Sequence, residues 1–275
     1  MDIIVNNNRL YYEEHGNRKG ETIFFIHGAP GLGDCRGDIK AFSKLGDTHR
    51  LIFLDMRGSG RSEDKRPFTH EQWTADIEAV RLELIGKPII ILGGSYGGFL
   101  SLEYAIRYPN SVSKVVLRDT AATHEFDQDS VQQALDANLD DVTEDEIIRL
   151  FEGEVHSNEE LKRVFTAIQP LYTVEFDKEA VQKKMDSIYY RYETHNDAFK
   201  YNKPSYHIVS QLENIKVPML VTVGRHDWIT PVVCSEQITE HVPNAILHIF
   251  ENSGHSPHHE ENEEYLKLVK TFLNC

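Results

Sequence analysis

Short, dense apolar runs recur along the chain: TIFFI at 22–26, RLIFL at 50–54, PIIIL at 88–92, VVL at 115–117, PMLVTV at 218–223 and AILHIF at 245–250. Runs without polar alternation fit strands buried on both faces, as in a parallel sheet. The polar–apolar mixtures at 2–6 and 10–15 predict an edge hairpin. Helical periodicity fills the gaps. Residues 69–85 put Trp73, Ile77, Val80 and Leu84 on one face, 96–107 follow a strand directly, and 231–241 and 260–273 are amphipathic. Strand then helix, repeated, predicts right-handed βαβ units in a mostly parallel, doubly wound α/β sheet.

One stretch breaks the rhythm. Between 122 and 210 no strand run stands out. Thr143 to Glu146 (TEDE) predicts a capping box opening the helix EDEIIRLFE. Ser157 to Glu160 (SNEE) predicts a second, opening EELKRVFTAI, with Pro170 after it. Residues 178–192 predict a third helix. The expectation is a core made of 1–121 and 211–275, with a helical cap, 122–210, inserted between two late strands.

Composition narrows the partners. With 29 basic and 44 acidic residues the net charge is −15, which repels phosphate backbones and anionic lipid. Nucleic-acid and membrane roles are therefore not expected, and no apolar run approaches the ~18 residues of a membrane span. Three cysteines, Cys35, Cys234 and Cys275, have no CxxC spacing, which argues against a disulfide framework or a zinc ribbon. The opening MDIIVNNNRLYYEEHG has no basic segment followed by a long apolar one, so a cytoplasmic location is expected.

The chemistry is sharpest at Gly93-Gly94-Ser95-Tyr96-Gly97, between the run PIIIL and a helix. This is G-x-S-x-G in strand–turn–helix context, where a nucleophile projects from a tight turn and its neighbours must be small. A serine nucleophile needs a base, and the base an orienting acid. Asp227 follows the run PMLVTV and His255 follows AILHIF, in the order serine, acid, histidine. Asp119, after VVLR, is a rival acid. His255 and His259 are four apart, but Pro257 intervenes and no H-E-x-x-H is present, so no metal site is expected. The small-residue loop His27-Gly28-Ala29-Pro30-Gly31 follows TIFFI. The backbone N–H groups of Ala29 and Tyr96 are the candidate oxyanion hole. His27 is read as organising that loop.

These pieces resemble the α/β-hydrolase superfamily across nearly the whole chain, and within it the prolyl aminopeptidases (proline iminopeptidases). The matching stretches are HGAPG at 27–31, DMRGSGRS at 55–62, GGSYGG at 93–98, GRHDWITP at 224–231 and SGHSPHHE at 253–260. The family's usual forms are HGGPG, DQRGxGxS and GGSWGG. Ala29 in place of Gly and Tyr96 in place of Trp both keep a backbone amide. The resemblance implies Ser95 as nucleophile, Asp227 as acid and His255 as base, with no cofactor. It also implies cap carboxylates that bind a free amino group, with Glu152 and Glu154 in FEGE and Glu193 in RYETH as the matching candidates. Tyr189, Tyr190 and Tyr192 are candidate pocket walls. The expected function is a serine hydrolase forming an acyl-enzyme, releasing N-terminal proline or a similar residue from a short peptide or small molecule. The alternatives are a carboxylesterase or lactonase, carbon–carbon bond hydrolysis, and a non-catalytic ligand receptor. A dehalogenase or epoxide hydrolase would carry Asp at position 95.

Overall fold

The computed structural model describes residues 1–274, so Cys275 lies outside the described residues. Eight strands form one sheet: β1 (Asp2–Val5), β2 (Asn8–Gly16), β3 (Thr22–Ile26), β4 (Arg50–Leu54), β5 (Ile89–Gly94), β6 (Val112–Arg118), β7 (Met219–Gly224) and β8 (Ala245–Phe250). Their order is β1-β2-β4-β3-β5-β6-β7-β8. The β1–β2 and β2–β4 pairings are antiparallel, and every pairing from β4 to β8 is parallel. The helices are α1 (Arg36–Phe42), α2 (His70–Leu84), α3 (Tyr96–Arg107), α4 (Asp127–Asp136), α5 (Glu144–Glu152), α6 (Asn158–Ala167), α7 (Lys178–Ser187), α8 (Tyr192–Asp197), α9 (Val232–His241), α10 (Pro257–Glu260) and α11 (Asn262–Leu273). Among the described residues no helix is long and apolar enough to cross a membrane.

The dense apolar runs are buried on both faces because successive side chains point to opposite sides. Phe24, Ile26, Ile52, Leu54, Ile89 and Ile91 pack with Trp73, Ile77 and Val80 of α2 and Leu100 of α3. The intervening Ile23, Phe25, Leu51, Phe53, Ile90 and Leu92 pack with Phe42 of α1 and Tyr265, Leu266 and Val269 of α11. This is the doubly wound α/β arrangement expected from the pattern, and the fold is that of an α/β hydrolase. β8 departs from it. Although as apolar in sequence as the central strands, it is the sheet edge, and Ile246 is exposed.

Between β6 and β7 the chain runs through α4 to α8 without a strand, apart from one isolated bridge between Thr123 and His207. Thr143 and Glu146 form the reciprocal capping box. At the second site Ser157 accepts from the Glu160 N–H, but the Glu160 carboxylate bonds the N–H of His156 and pairs with Arg149 instead of returning to Ser157. The third helix stops at Ser187, short of 192, because the chain is pulled extended at Ile188 and anchored where the Arg191 N–H meets the Gly31 carbonyl at 2.9 Å. Helix α8 then starts afresh and continues as a π-helical turn over Ala198–Asn202.

Candidate active site

β5 ends at Gly94 and α3 begins at Tyr96, so Ser95 alone makes the turn, with φ 53° and ψ −126°. That left-handed backbone is strained for a residue with a side chain, and such strain collects at functional sites. The glycines around it are required by contact. A Cβ on Gly93 would stand 2.3 Å from the Gly97 carbonyl oxygen, and one on Gly97 2.2 Å from that of Ile26. One on Gly94 would stand 2.2 Å from the Arg118 guanidinium. Three residues at this edge of the sheet, Ala29, Ser95 and Asp119, have positive φ without being Gly, Asn or surface-turn residues.

Asp227 follows β7 and His255 follows β8, so the parallel register brings both to the carboxyl edge. His255 Nδ1 lies 2.8 Å from Asp227 Oδ2. Asp227 also accepts from the N–H groups of Ile229 (2.9 Å) and Thr230 (3.1 Å) and from the Thr230 hydroxyl (2.9 Å). The Asp227 oxygens face Nδ1 as acceptors, so Nδ1 carries the proton and Nε2 keeps its lone pair. Burial disfavours a charged imidazole at His255, but the charge and hydrogen bond of Asp227 outweigh it and hold the group above its ordinary value. Among the described residues neither Ser95 Oγ nor His255 Nε2 has a hydrogen-bond partner. Sequence-predicted Asp227 and His255 are thus joined, while Ser95 is not bonded to His255.

The loop after β3 lies against the nucleophile: a Cβ on Gly28 would be 3.0 Å from the Ser95 Cβ. His27 organises it. Its Nε2 accepts from the Met56 N–H at 3.1 Å, leaving Nδ1–H to donate to the Gly28 carbonyl at 2.8 Å. The Ala29 carbonyl takes the N–H groups of Leu32 and Gly33, which curls the loop. The Tyr96 N–H opens α3, where first-turn N–H groups have no carbonyl within the helix to bond. Ala29, Ser95 and Tyr96 line one cavity of about 60 Å³.

The rest of that lining is mostly apolar and comes largely from the β6–β7 segment: Phe126, Leu150, Phe151, Phe165, Ile168 and Phe199. Tyr172 backs His255, with ring centroids 5.5 Å apart and its carbonyl accepting the His255 N–H. His195 is a neutral member of the wall. Burial lowers its pKa to about 4, and its Nε2 pairs with the Leu150 carbonyl at 2.8 Å. Charge enters through Asp127 and Lys203, paired at 2.9 Å. The segment is tied to the elbow through Tyr96, whose hydroxyl meets His70 Nε2 at 2.7 Å and the Ala198 carbonyl at 3.1 Å.

Glu152, Glu154 and Glu193 are exposed, and none lines the Ser95 cavity. Glu154 pairs instead with Lys200 at 2.9 Å on the outer surface. Tyr190 and Tyr192 pack around Leu32 and Leu150, and Tyr189 is exposed beside Arg36. Asp127, Lys203, His195 and Tyr172 carry no motif. Asp127 reads as one of two first-turn acids in DQDSVQQALD, and only the fold separates it from Asp129.

Asp119, Asp227 and His255 are the group of possible metal ligands found among the described residues, with donor atoms within 4.8 Å of one another. His255 Nδ1 and Asp227 Oδ2 are already spent on each other at 2.8 Å, so the set fits a hydrogen-bonded relay better than a coordination sphere. Cys35 and Cys234 are buried free thiols, and burial raises both pKa values, that of Cys234 to about 12.

Known proteins resemble the chain over nearly its full length. The family profile described as alpha/beta hydrolase fold matches residues 21–262. A protein named proline iminopeptidase PfmaB from Pestalotiopsis fici is 35% identical over 274 residues, covering 98% of this chain and 97% of its own. A proline iminopeptidase of Saccharolobus solfataricus is 28% identical over 280 residues, covering 97% and 88%. Among solved structures, the enol-lactonase from Burkholderia xenovorans LB400 superposes with a TM-score of 0.82 at 21% identity, covering 100% of both chains. The chain belongs to the α/β-hydrolase family and is a hydrolase close to the proline iminopeptidases.

Proposed function

We propose that the chain is a serine hydrolase working through an acyl-enzyme, an aminopeptidase that releases N-terminal proline or a similarly compact residue from short peptides. The observation that carries the reading is the strained Ser95 turn opening into a mostly apolar cavity beside the His255–Asp227 pair. In this reading Ser95 Oγ attacks the carbonyl carbon while its proton passes to His255 Nε2. The Asp227 carboxylate holds the imidazole in the required tautomer and stabilises the imidazolium. The negative charge on the substrate oxygen rests on the N–H groups of Ala29 and Tyr96. The carbon–nitrogen bond then breaks as the imidazolium protonates the departing amine. Water repeats the cycle on the ester and restores Ser95. The relative named proline iminopeptidase, similar over nearly the full length, supports the substrate class.

The segment 122–210 acts in this account as the cap that excludes water. The substrate amine takes Asp127, the carboxylate of the cavity wall, in place of the exposed glutamates expected from the family pattern. An ammonium in a partly dry pocket needs such a fixed anion. A second reading has its own observation. Lys203 already neutralises Asp127, so the cavity as it stands suits an uncharged acyl group, as in a small ester or lactone. An aminoacyl arylamide, its N-acetylated form and a matched aryl ester separate the two. The aminopeptidase reading expects acetylation to abolish turnover of the arylamide. Equal rates with and without the acetyl group overturn it in favour of the ester reading.

A further inference from the structure

Two acids end neighbouring strands at the same edge. Asp119 comes directly after β6, and Asp227 three residues after β7. Their carboxylates and His255 share one cluster, with donor atoms within 4.8 Å of one another. The two are furnished unequally. Asp227 takes four hydrogen bonds, whereas Asp119 takes one, from the Gly224 N–H to Oδ1 at 3.1 Å. Asp119 Oδ2 is buried with no partner among the described residues. Two carboxylates this close in a dry site do not both ionise readily. The donors converge on Asp227, and burial with few donors disfavours the charged form of Asp119.

We propose that Asp119 is a positioning residue, a reserve acid for His255 that stays protonated beside Asp227 and orients the imidazole when Asp227 is lost. This rests on the serine-hydrolase reading above. Burial first, and then the neighbouring Asp227, push the Asp119 carboxyl up to about 8. The other charged or titratable groups around it are Arg118 of β6, itself paired with Asp38 of α1, His255 after β8, and Tyr265 of α11. The Gly224 N–H and the positive φ of Asp119 set the carboxyl at the site. From within 4.8 Å, a side-chain shift of at most ~2 Å brings an Asp119 oxygen to hydrogen-bond distance of the imidazole. With Asp227 replaced by a neutral residue the repulsion disappears. Asp119 then releases its proton to water, and its carboxylate accepts the Nδ1–H.

The test is a kinetic cycle of Asp119→Asn, Asp227→Asn and the double variant, with kcat followed from pH 5 to 10. The expected losses are ~3-fold for Asp119→Asn, ~10²-fold for Asp227→Asn and ~10⁴-fold for the double, the last being the size of losing the triad acid outright. The wild-type profile is also expected to show an inflection near the Asp119 ionisation that is absent in Asp119→Asn. A structural role alone would not move that feature. The proposal is overturned if Asp227→Asn already loses ~10⁴-fold and the double variant no more, or if Asp119→Asn alone loses that much. Should Asp227→Asn fold poorly by thermal unfolding, Asp227→Ser carries the same cycle. Ser95→Ala separates the two levels: full activity in that variant refutes the underlying site, whatever the cycle shows.

Discussion

Replacing Tyr96 by Phe removes one hydroxyl at the junction of nucleophile and cap. Tyr96 is almost wholly buried, and its hydroxyl bridges His70 Nε2 at 2.7 Å and the Ala198 carbonyl at 3.1 Å. Phenylalanine fills nearly the same volume, so the packing against Phe99 and Phe199 survives. Two buried polar groups lose a partner. At ~1–2 kcal/mol for each orphaned group the loss is ~2–4 kcal/mol. Unfolding a chain of 275 residues at ~2.1 cal/mol/K per residue carries an entropy of ~0.6 kcal/mol/K, so Tm falls by ~3–7 °C. The Tyr96 N–H and Ser95 Oγ are untouched, so Ser95 still reacts with a fluorophosphonate. The loosened Ala198–Phe199 wall appears as a higher KM with a smaller change in kcat. Calorimetry and steady-state kinetics on one preparation read both effects. A Tm within 1 °C of wild type together with an unchanged KM would refute the latch.

Two further outcomes follow from the site's electrostatics. Turnover needs neutral His255, and Asp227 holds its pKa above the ordinary 6.5, so the acidic limb of kcat/KM lies above that value. The raised pKa also stabilises the folded protein at low pH, an effect lost as pH rises through the folded-state value, and a thermal-unfolding series against pH reads it. Asp127→Asn leaves Lys203 without its carboxylate. It raises KM for a free aminoacyl arylamide by ~10-fold or more and spares the N-acetylated or ester substrate, since one charge-assisted bond is worth ~1.5–3 kcal/mol. Equal effects on both substrates would remove Asp127 from amine binding.

The sheet was legible because its strands are dense β-branched and aromatic runs whose alternate residues serve two different helix layers, as Ile23 and Phe24 do. That signal is local. The edge position of β8 is not local, since it depends on what lies beyond the strand. That Ser95, Asp227 and His255 fall at one edge was readable because the strand ends of a parallel sheet lie together there. The cavity wall was not. Asp127, His195 and Lys203 reach it through helix packing, and in an acidic chain Glu152, Glu154 and Glu193 look equally suited to bind an amine. The break after Ser187 was hidden for the same reason, because the Arg191–Gly31 bond that anchors the chain there spans 160 positions.

Active-site labelling bears on the core of this account most directly. The wild-type protein is treated with a fluorophosphonate and digested, and the modified residue is identified by mass spectrometry. One adduct per chain on Ser95, absent in Ser95→Ala and slowed in His255→Ala, is the expected result. Labelling that persists in Ser95→Ala, or an adduct on another residue, would contradict it.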